Sequence, residues 1–166
     1  MGTFAVQIAR WLGGEVTAVT RTESVDLVRS LGAGLVLDHT RTDFLERPER
    51  YDAVFDIGGR RRLTEIRRIM ARRGVLVAVG GPASRWVAPA DRMLKAMVLS
   101  PLVSQRFEPF LSQHDPRDLA ILADLVARGV VRPVIDREYP LQQAPDAIRY
   151  LGTRHPRGKV VVRVGS

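Results

Sequence analysis

The chain has 166 residues, 45% apolar and 27% charged, which fits one soluble domain or a domain with part of a second and excludes a disordered polymer. It has no cysteine, which excludes a disulfide scaffold, a cysteine-ligated zinc or iron–sulfur site and a thiol nucleophile within these residues. Net charge is +8, and 24 of the 26 basic residues are arginine, so the surface attracts polyanions: nucleic acid, acidic lipid or a phosphorylated cofactor.

The opening MGTFAVQIARW has neither the basic start nor the cleavage site of a signal peptide. No apolar run reaches the roughly 20 residues of a membrane helix. A cytoplasmic protein is therefore expected. Residues 3–12 predict a helix, with Phe4, Ile8, Trp11 and Leu12 near helical spacing and Gly13-Gly14 as its stop. EVTAVT at 15–20 predicts a short strand. Residues 23–31 predict a second helix, with Leu27, Val28 and Leu31 on one face and Gly32 at its end. Leu35–Leu37 and Tyr51–Ile57 read as the next two strands. A helix is expected over 60–72, with Leu63, Ile66, Ile69 and Met70 inward, followed by a strand Val75–Val79 that Gly80-Gly81-Pro82 breaks.

The pattern changes after Pro89. A short helix over 90–97 and a last strand Val98–Ser104 are expected, and Pro101 puts that strand at an edge or a bulge. A helix over 116–128 follows, with Asp115 as cap and Pro116 in the first turn, and Gly129 ends it. Then come VRPVIDREYPL, a helix around 143–151 and a terminal strand from Lys159 to Val164. Strands alternating with helices of about ten residues predict βαβ units and a parallel α/β sheet. Strands such as VLVAV are apolar throughout, as expected where helices cover both faces. Glycines at strand ends let a ligand approach the carboxyl edge of such a sheet.

MGTFAVQIARWLGGEVTAV, SLGAGLVLDHT, YDAVFDIGG, GVLVAVGG and VIDREYPLQQAPDAIRYLGTRHPRGKVVV together resemble the second half of a medium-chain dehydrogenase/reductase. The similarity is greatest to the zinc-independent, quinone-oxidoreductase-like subgroup. It is collinear and spans essentially the whole chain, although no single motif is decisive. The resemblance implies a Rossmann-type parallel sheet with helices on both faces, lacking the family's first strand. It also implies a C-terminal tail from the GroES-like substrate domain. The expected division is 1–110 for the dinucleotide-binding domain and 111–166 for the substrate-domain portion. The chain thus looks like a fragment or truncation of a longer enzyme. A missing central strand of about five buried apolar residues is worth roughly 8–15 kcal/mol before entropy. Marginal stability or a borrowed partner is therefore expected.

The resemblance also implies a nicotinamide coenzyme and its contacts. Gly2 matches the last glycine of the family's phosphate loop, and Gly2 and Thr3 would offer backbone amides to the pyrophosphate. Thr20 ends the family's second strand, where NAD-preferring relatives carry an acid. Here Thr20 is neutral and Arg21 follows it, which favours the 2′-phosphate of NADPH. Ser24 matches a position where several relatives carry a phosphate-binding lysine, and His39 matches a frequent tyrosine. Ile57 and Gly58 would pass the coenzyme ribose, and Arg60 would stack on adenine. Gly80 and Gly81 would lie beside the nicotinamide, and Val103 and Ser104 would face its carboxamide. Val103 and Ser104 also lie in the region expected to pair strands across a homodimer. Lys159 matches a basic residue near the pyrophosphate. Against these roles stands a plain alternative for the arginines: Arg60, Arg61, Arg62, Arg67, Arg68, Arg72 and Arg73 form the solvated outer side of one helix.

No catalytic acid or base is identified. His39, His114 and His155 form no metal motif, and no GxSxG is present. Two functions remain open. One is an NADPH-dependent oxidoreductase acting on a small molecule, a carbonyl, quinone or activated alkene. The other is a non-catalytic remnant that dimerises or binds nucleotide only. A nucleic-acid binder is disfavoured, because aromatics are 6% and no recognition motif is present.

Overall fold

The computed structural model describes residues 1–57, 61–79, 104–109, 115–153 and 156–165. Two compact units emerge: Met1–Thr42 with Asp115–Ser166, and Asp43–His114.

The first unit holds two successive βαβ arrangements. Helix α1 (Gly2–Trp11) precedes β1 (Thr17–Thr20), a 3-10 turn (Thr22–Ser24), α2 (Val25–Ser30) and β2 (Leu35–Asp38). β1 and β2 run parallel, from Thr17 opposite Leu35 to Thr20 opposite Asp38. Val6, Leu31 and Ala33 are buried between them, with Val16, Ala18, Leu27, Val28, Val36 and Val134 packed around. α1 also buries a polar side chain. The Gln7 amide donates to the Thr3 carbonyl at 2.8 Å and to the Arg132 carbonyl at 3.0 Å, while its oxygen accepts the Arg132 N–H at 2.9 Å. A residue from the start of the chain thus completes the backbone bonding of one 125 positions later.

The second half of this unit runs α4 (Pro116–Ala127), β6 (Ile135–Pro140), α5 (Ala144–Thr153) and β7 (Lys159–Arg163). The start of α4 follows the sequence pattern: Asp115 accepts the Arg117 N–H at 2.8 Å and Pro116 occupies the first turn. β6 and β7 are parallel. Gly158 stands where a Cβ would come within 2.4 Å of the Val134 carbonyl oxygen, so only glycine fits as β7 begins.

The second unit is a parallel three-stranded sheet in the order β3 (Tyr51–Ile57), β4 (Met70–Val79), β5 (Arg106–Pro109). Its core is Leu63, Ile66, Ile69, Met70 and Leu76, with Phe44, Leu45, Tyr51, Val54 and Phe107 against it. Each such side chain contributes about 1.5–3 kcal/mol on full burial.

Three expectations change here. The helix expected over 60–72 shrinks to α3 (Leu63–Ile66) and a 3-10 turn over Arg67–Ile69, and Met70 already pairs with Tyr51 as strand. The Gln105 amide donates to the carbonyls of Arg67, Met70 and Ala71 at 3.2–3.3 Å where the helical turn gives way to strand. Second, Ser104 lies in a bend, and the strand beside β4 is Arg106–Pro109; residues 98–103 and the helix expected at 90–97 lie outside the described residues. Third, β3 leaves Phe55 55% and Ile57 39% exposed.

The parallel α/β architecture of the expected Rossmann-type domain is present. Among the described residues, β1–β2, β3–β4–β5 and β6–β7 form separate sheets.

Candidate functional site

Ligands of open α/β folds bind at the carboxyl ends of parallel strands, where loops can converge on them. In the first unit that edge is formed by the ends of β1 and β2. Thr20 is the last residue of β1, and its carbonyl accepts the His39 N–H at 3.0 Å, so the pairing continues one residue beyond β2. Arg21 is extended and precedes the 3-10 turn that ends at Ser24. The Ser24 N–H donates to the Arg21 carbonyl at 3.0 Å, which sets Arg21 and Ser24 at the two ends of one tight turn. Among the described residues Arg21 makes no ion pair. His39 is exposed at the same edge. The structure thus brings together Thr20, Arg21, Ser24 and His39.

The acid of this edge is Asp38, a residue the sequence reading did not single out. Its Oδ2 accepts the Thr22 hydroxyl at 2.6 Å, and its Oδ1 accepts the Thr40 hydroxyl at 2.7 Å and the Thr40 N–H at 2.9 Å. The Thr22 hydroxyl, then the Thr40 hydroxyl, hold the Asp38 carboxyl down at about 2. The signal in the sequence was the Asp-x-Thr spacing of Asp38 and Thr40, which forms an Asx turn. The bond to Thr22 is a product of the parallel pairing and has no local signature.

A second group gathers at the start of α1. The N-cap Met1 has no side-chain cap, and the Phe4 and Ala5 amides bond back to the Met1 carbonyl at 3.0 and 3.2 Å. The Gly2 and Thr3 amides have no such partner, as the first turn of a helix dictates. A Cβ at Gly2 would meet nothing within 4 Å, so no contact inside the chain demands glycine there. The Lys159 ammonium lies over the Phe4 ring, 5.5 Å from its centroid, at the same helix end. Burial, and then the Lys159 charge, push the Met1 amine below its ordinary value. Gly2, Thr3 and Lys159 are therefore neighbours. Free amides, a helix N-terminus and a lysine suit a pyrophosphate, and Arg21 with the Ser24 hydroxyl suits a further phosphate.

In the second unit Ile57 ends β3 and is 39% exposed, and Ser104 is exposed before β5. Gly58, Arg60, Gly80, Gly81 and Val103 lie outside the described residues, as do His114 and His155. Of the arginines on the expected basic face, Arg61 pairs with Asp43 at 3.2 Å and Arg67 donates to the Gln105 side chain at 3.0 Å; Arg62, Arg68, Arg72 and Arg73 are exposed. Among the described residues no three acidic or histidine side chains are grouped to hold a metal ion, and no helix is long and apolar enough to cross a membrane.

The same order of strands and helices is found in known proteins. The chain resembles the NADPH-dependent alkenal/one oxidoreductase, chloroplastic, of Arabidopsis thaliana, with 30% identity over 98% of this chain and 37% of that protein. It also resembles the chloroplast envelope quinone oxidoreductase homolog of the same plant, with 28% identity over 98% of this chain and 49% of that protein. The solved quinone oxidoreductase from Coxiella burnetii superposes with a TM-score of 0.81 at 27% identity, over 98% of this chain and 49% of that one. The chain spans less than half the length of these relatives. The family model described as zinc-binding dehydrogenase matches residues 31–162, which takes in β2 and every element after it. On that match, and on the parallel strands that carry it, the chain belongs to the zinc-binding dehydrogenase family.

Proposed function

We propose that the chain forms the coenzyme-binding part of an NADPH-dependent oxidoreductase that reduces a carbonyl, a quinone or an activated alkene without zinc. The observation that carries this is the edge of β1 and β2. A neutral Thr20 is followed by Arg21, which among the described residues has no ion pair, while Asp38 at the end of β2 is engaged by Thr22 and Thr40. A ribose diol calls for a free carboxylate, whereas a 2′-phosphate calls for a guanidinium and hydroxyls. The names of the relatives, NADPH-dependent alkenal/one oxidoreductase and quinone oxidoreductase homolog, support the same chemistry.

In this proposal Gly2, Thr3 and Lys159 hold the pyrophosphate, and Thr20, Arg21, Ser24 and His39 hold the adenosine end. Ile57, Gly58 and Arg60 border the ribose and adenine, and Gly80, Gly81, Val103 and Ser104 border the nicotinamide. The bound coenzyme supplies the hydride, and the protein orients it. Residues 1–110 constitute the dinucleotide-binding domain and 111–166 belong to the substrate domain. A homodimer forms through the last strand of the nucleotide domain.

Calorimetric titration with NADPH and NADH tests the coenzyme assignment. NADPH is expected to bind at least tenfold more tightly, and Arg21→Ala to remove most of that difference, since one charge-assisted contact is worth about tenfold. Tighter binding of NADH overturns it. Binding of NADPH with no hydride transfer to any carbonyl, quinone or alkene favours the alternative of a nucleotide-binding remnant.

A further inference from the structure

The turn after β1 is held at two points by side chains from elsewhere in its unit. Asp38 holds the first point. It reaches Thr22 from the end of β2, and its side chain is 12% exposed. The Thr22 and Thr40 hydroxyls lie 3.1 Å apart, each turning its proton toward a different carboxylate oxygen of Asp38. Arg157 holds the second point, its Nη1 donating to the Glu23 carbonyl at 3.3 Å from a position 134 residues later. Arg157 is itself seated on Asp136, which accepts its N–H at 3.3 Å and lies 4.0 Å from its Nε. Asp136, with a side chain 8% exposed, also accepts the Tyr150 hydroxyl at 2.7 Å. Asp38 of β2 and Arg157 before β7 thus hold the turn Arg21–Ser24, and Asp136 of β6, bonded by Tyr150 of α5, seats Arg157.

We propose that Asp38 and Arg157 are positioning residues that fix the Arg21–Ser24 turn so that the Arg21 guanidinium and the Ser24 hydroxyl meet one phosphate group of the coenzyme together. This rests on the NADPH assignment above. Surface turns ordinarily lose freedom when they close on a ligand, and that loss weakens binding. A turn already tied at Thr22 and at the Glu23 carbonyl has lost it beforehand. The ties use Thr22 and the Glu23 carbonyl and leave Arg21 and Ser24 to the ligand.

The sign of the effect separates this role from a plain charge effect. Asp38 is an anion at an edge assigned to a phosphate. The other charges near it are Arg41, with Nε 3.9 Å from the carboxylate, Arg21 and Glu23 on the turn, and Arg157 at its far side. If only its charge mattered, removing Asp38 would tighten NADPH binding. If its bonds to Thr22 and Thr40 matter, removing it weakens NADPH binding.

The test compares the 166-residue chain with Asp38→Ala, Asp38→Asn, Thr22→Val and Arg157→Ala. Amide hydrogen exchange at Ser24, His39 and Thr40 is read without coenzyme, and affinity for NADPH and NADH is read by calorimetry. Asp38→Ala is expected to speed exchange at Ser24 and Thr40 and to weaken NADPH about tenfold, with NADH changed less than about twofold. Thr22→Val, which leaves every charge in place, and Arg157→Ala are expected to follow in the same direction by about threefold. Asp38→Asn keeps one acceptor oxygen and is expected to recover part of the loss. Tighter NADPH binding in Asp38→Ala, equal weakening of both coenzymes, or unchanged exchange at Ser24 overturns the proposal while the NADPH assignment stands. An unaltered chain that prefers NADH, or binds neither coenzyme, overturns the assignment, and the proposal falls with it.

Discussion

The two units combine apolar burial and directional contacts, but over different lengths of chain. In Asp43–His114 five apolar side chains, Leu63, Ile66, Ile69, Met70 and Leu76, form one buried cluster under a three-stranded sheet. In the other unit the cluster around α1 and α2 is Val6, Leu31 and Ala33, while Leu37, Leu125, Val131 and Ala147 are buried elsewhere in it, and polar side chains span long stretches of chain. Gln7 bonds Arg132, Asp38 bonds Thr22, and Asp136 gathers Tyr150 and Arg157. Apolar packing is indifferent to direction, whereas a hydrogen bond fixes an atom to within a few tenths of an ångström. The unit that carries most of the described candidate coenzyme residues is the one whose directional contacts span more than 100 positions of chain.

The largest expected effect falls on the apolar unit. Leu76, 1% exposed at the centre of β4, is expected to cost about 2–5 kcal/mol as Leu76→Ala, read by urea denaturation. Gln7→Ala comes next at about 1–3 kcal/mol, because it leaves the Arg132 N–H and carbonyl without their partners. A loss from Gln7→Ala equal to that from Leu76→Ala would break the contrast between the units.

The smallest effect is on the Asp38 hub, and it has a pH signature. Its carboxyl falls from an ordinary 3.8 to about 2 in the folded chain, through the Thr22 and then the Thr40 hydroxyl. A folded value below the unfolded one means that the contribution is complete above the ordinary carboxylate range. It is lost as pH falls through about 2. Carbon NMR of the Asp38 carboxyl should give a midpoint near 2. A midpoint near the ordinary value would show that Thr22 and Thr40 do not engage it in solution.

Much of the fold is legible in the residues. Gly13, Gly32 and Gly129 take positive φ at the helix ends where the sequence places stops. Asp115-Pro116 starts α4, and the apolar run YDAVFDI becomes β3 over the same seven residues. The helix over 60–72 is cut short where Met70 pairs with Tyr51 as strand, a long-range pairing that the apolar spacing does not show. An apolar strand does not state how fully each face is covered, and Phe55 and Ile57 of β3 remain exposed.

The candidate site divides in the same way. Thr20, Arg21, Ser24 and His39 were named from the resemblance, and the structure sets them at one edge. Asp38 and Arg157 were missed, since a carboxylate that bonds a hydroxyl 16 positions back and an arginine that bonds a carbonyl 134 positions back leave no periodic mark. The sequence by itself determined most of the described helices and short strands, the turns and the residue types at the strand ends, because these follow from local periodicity and backbone preference. Only the tertiary structure decided which polar groups meet, because those meetings depend on which strands lie side by side and how each loop returns.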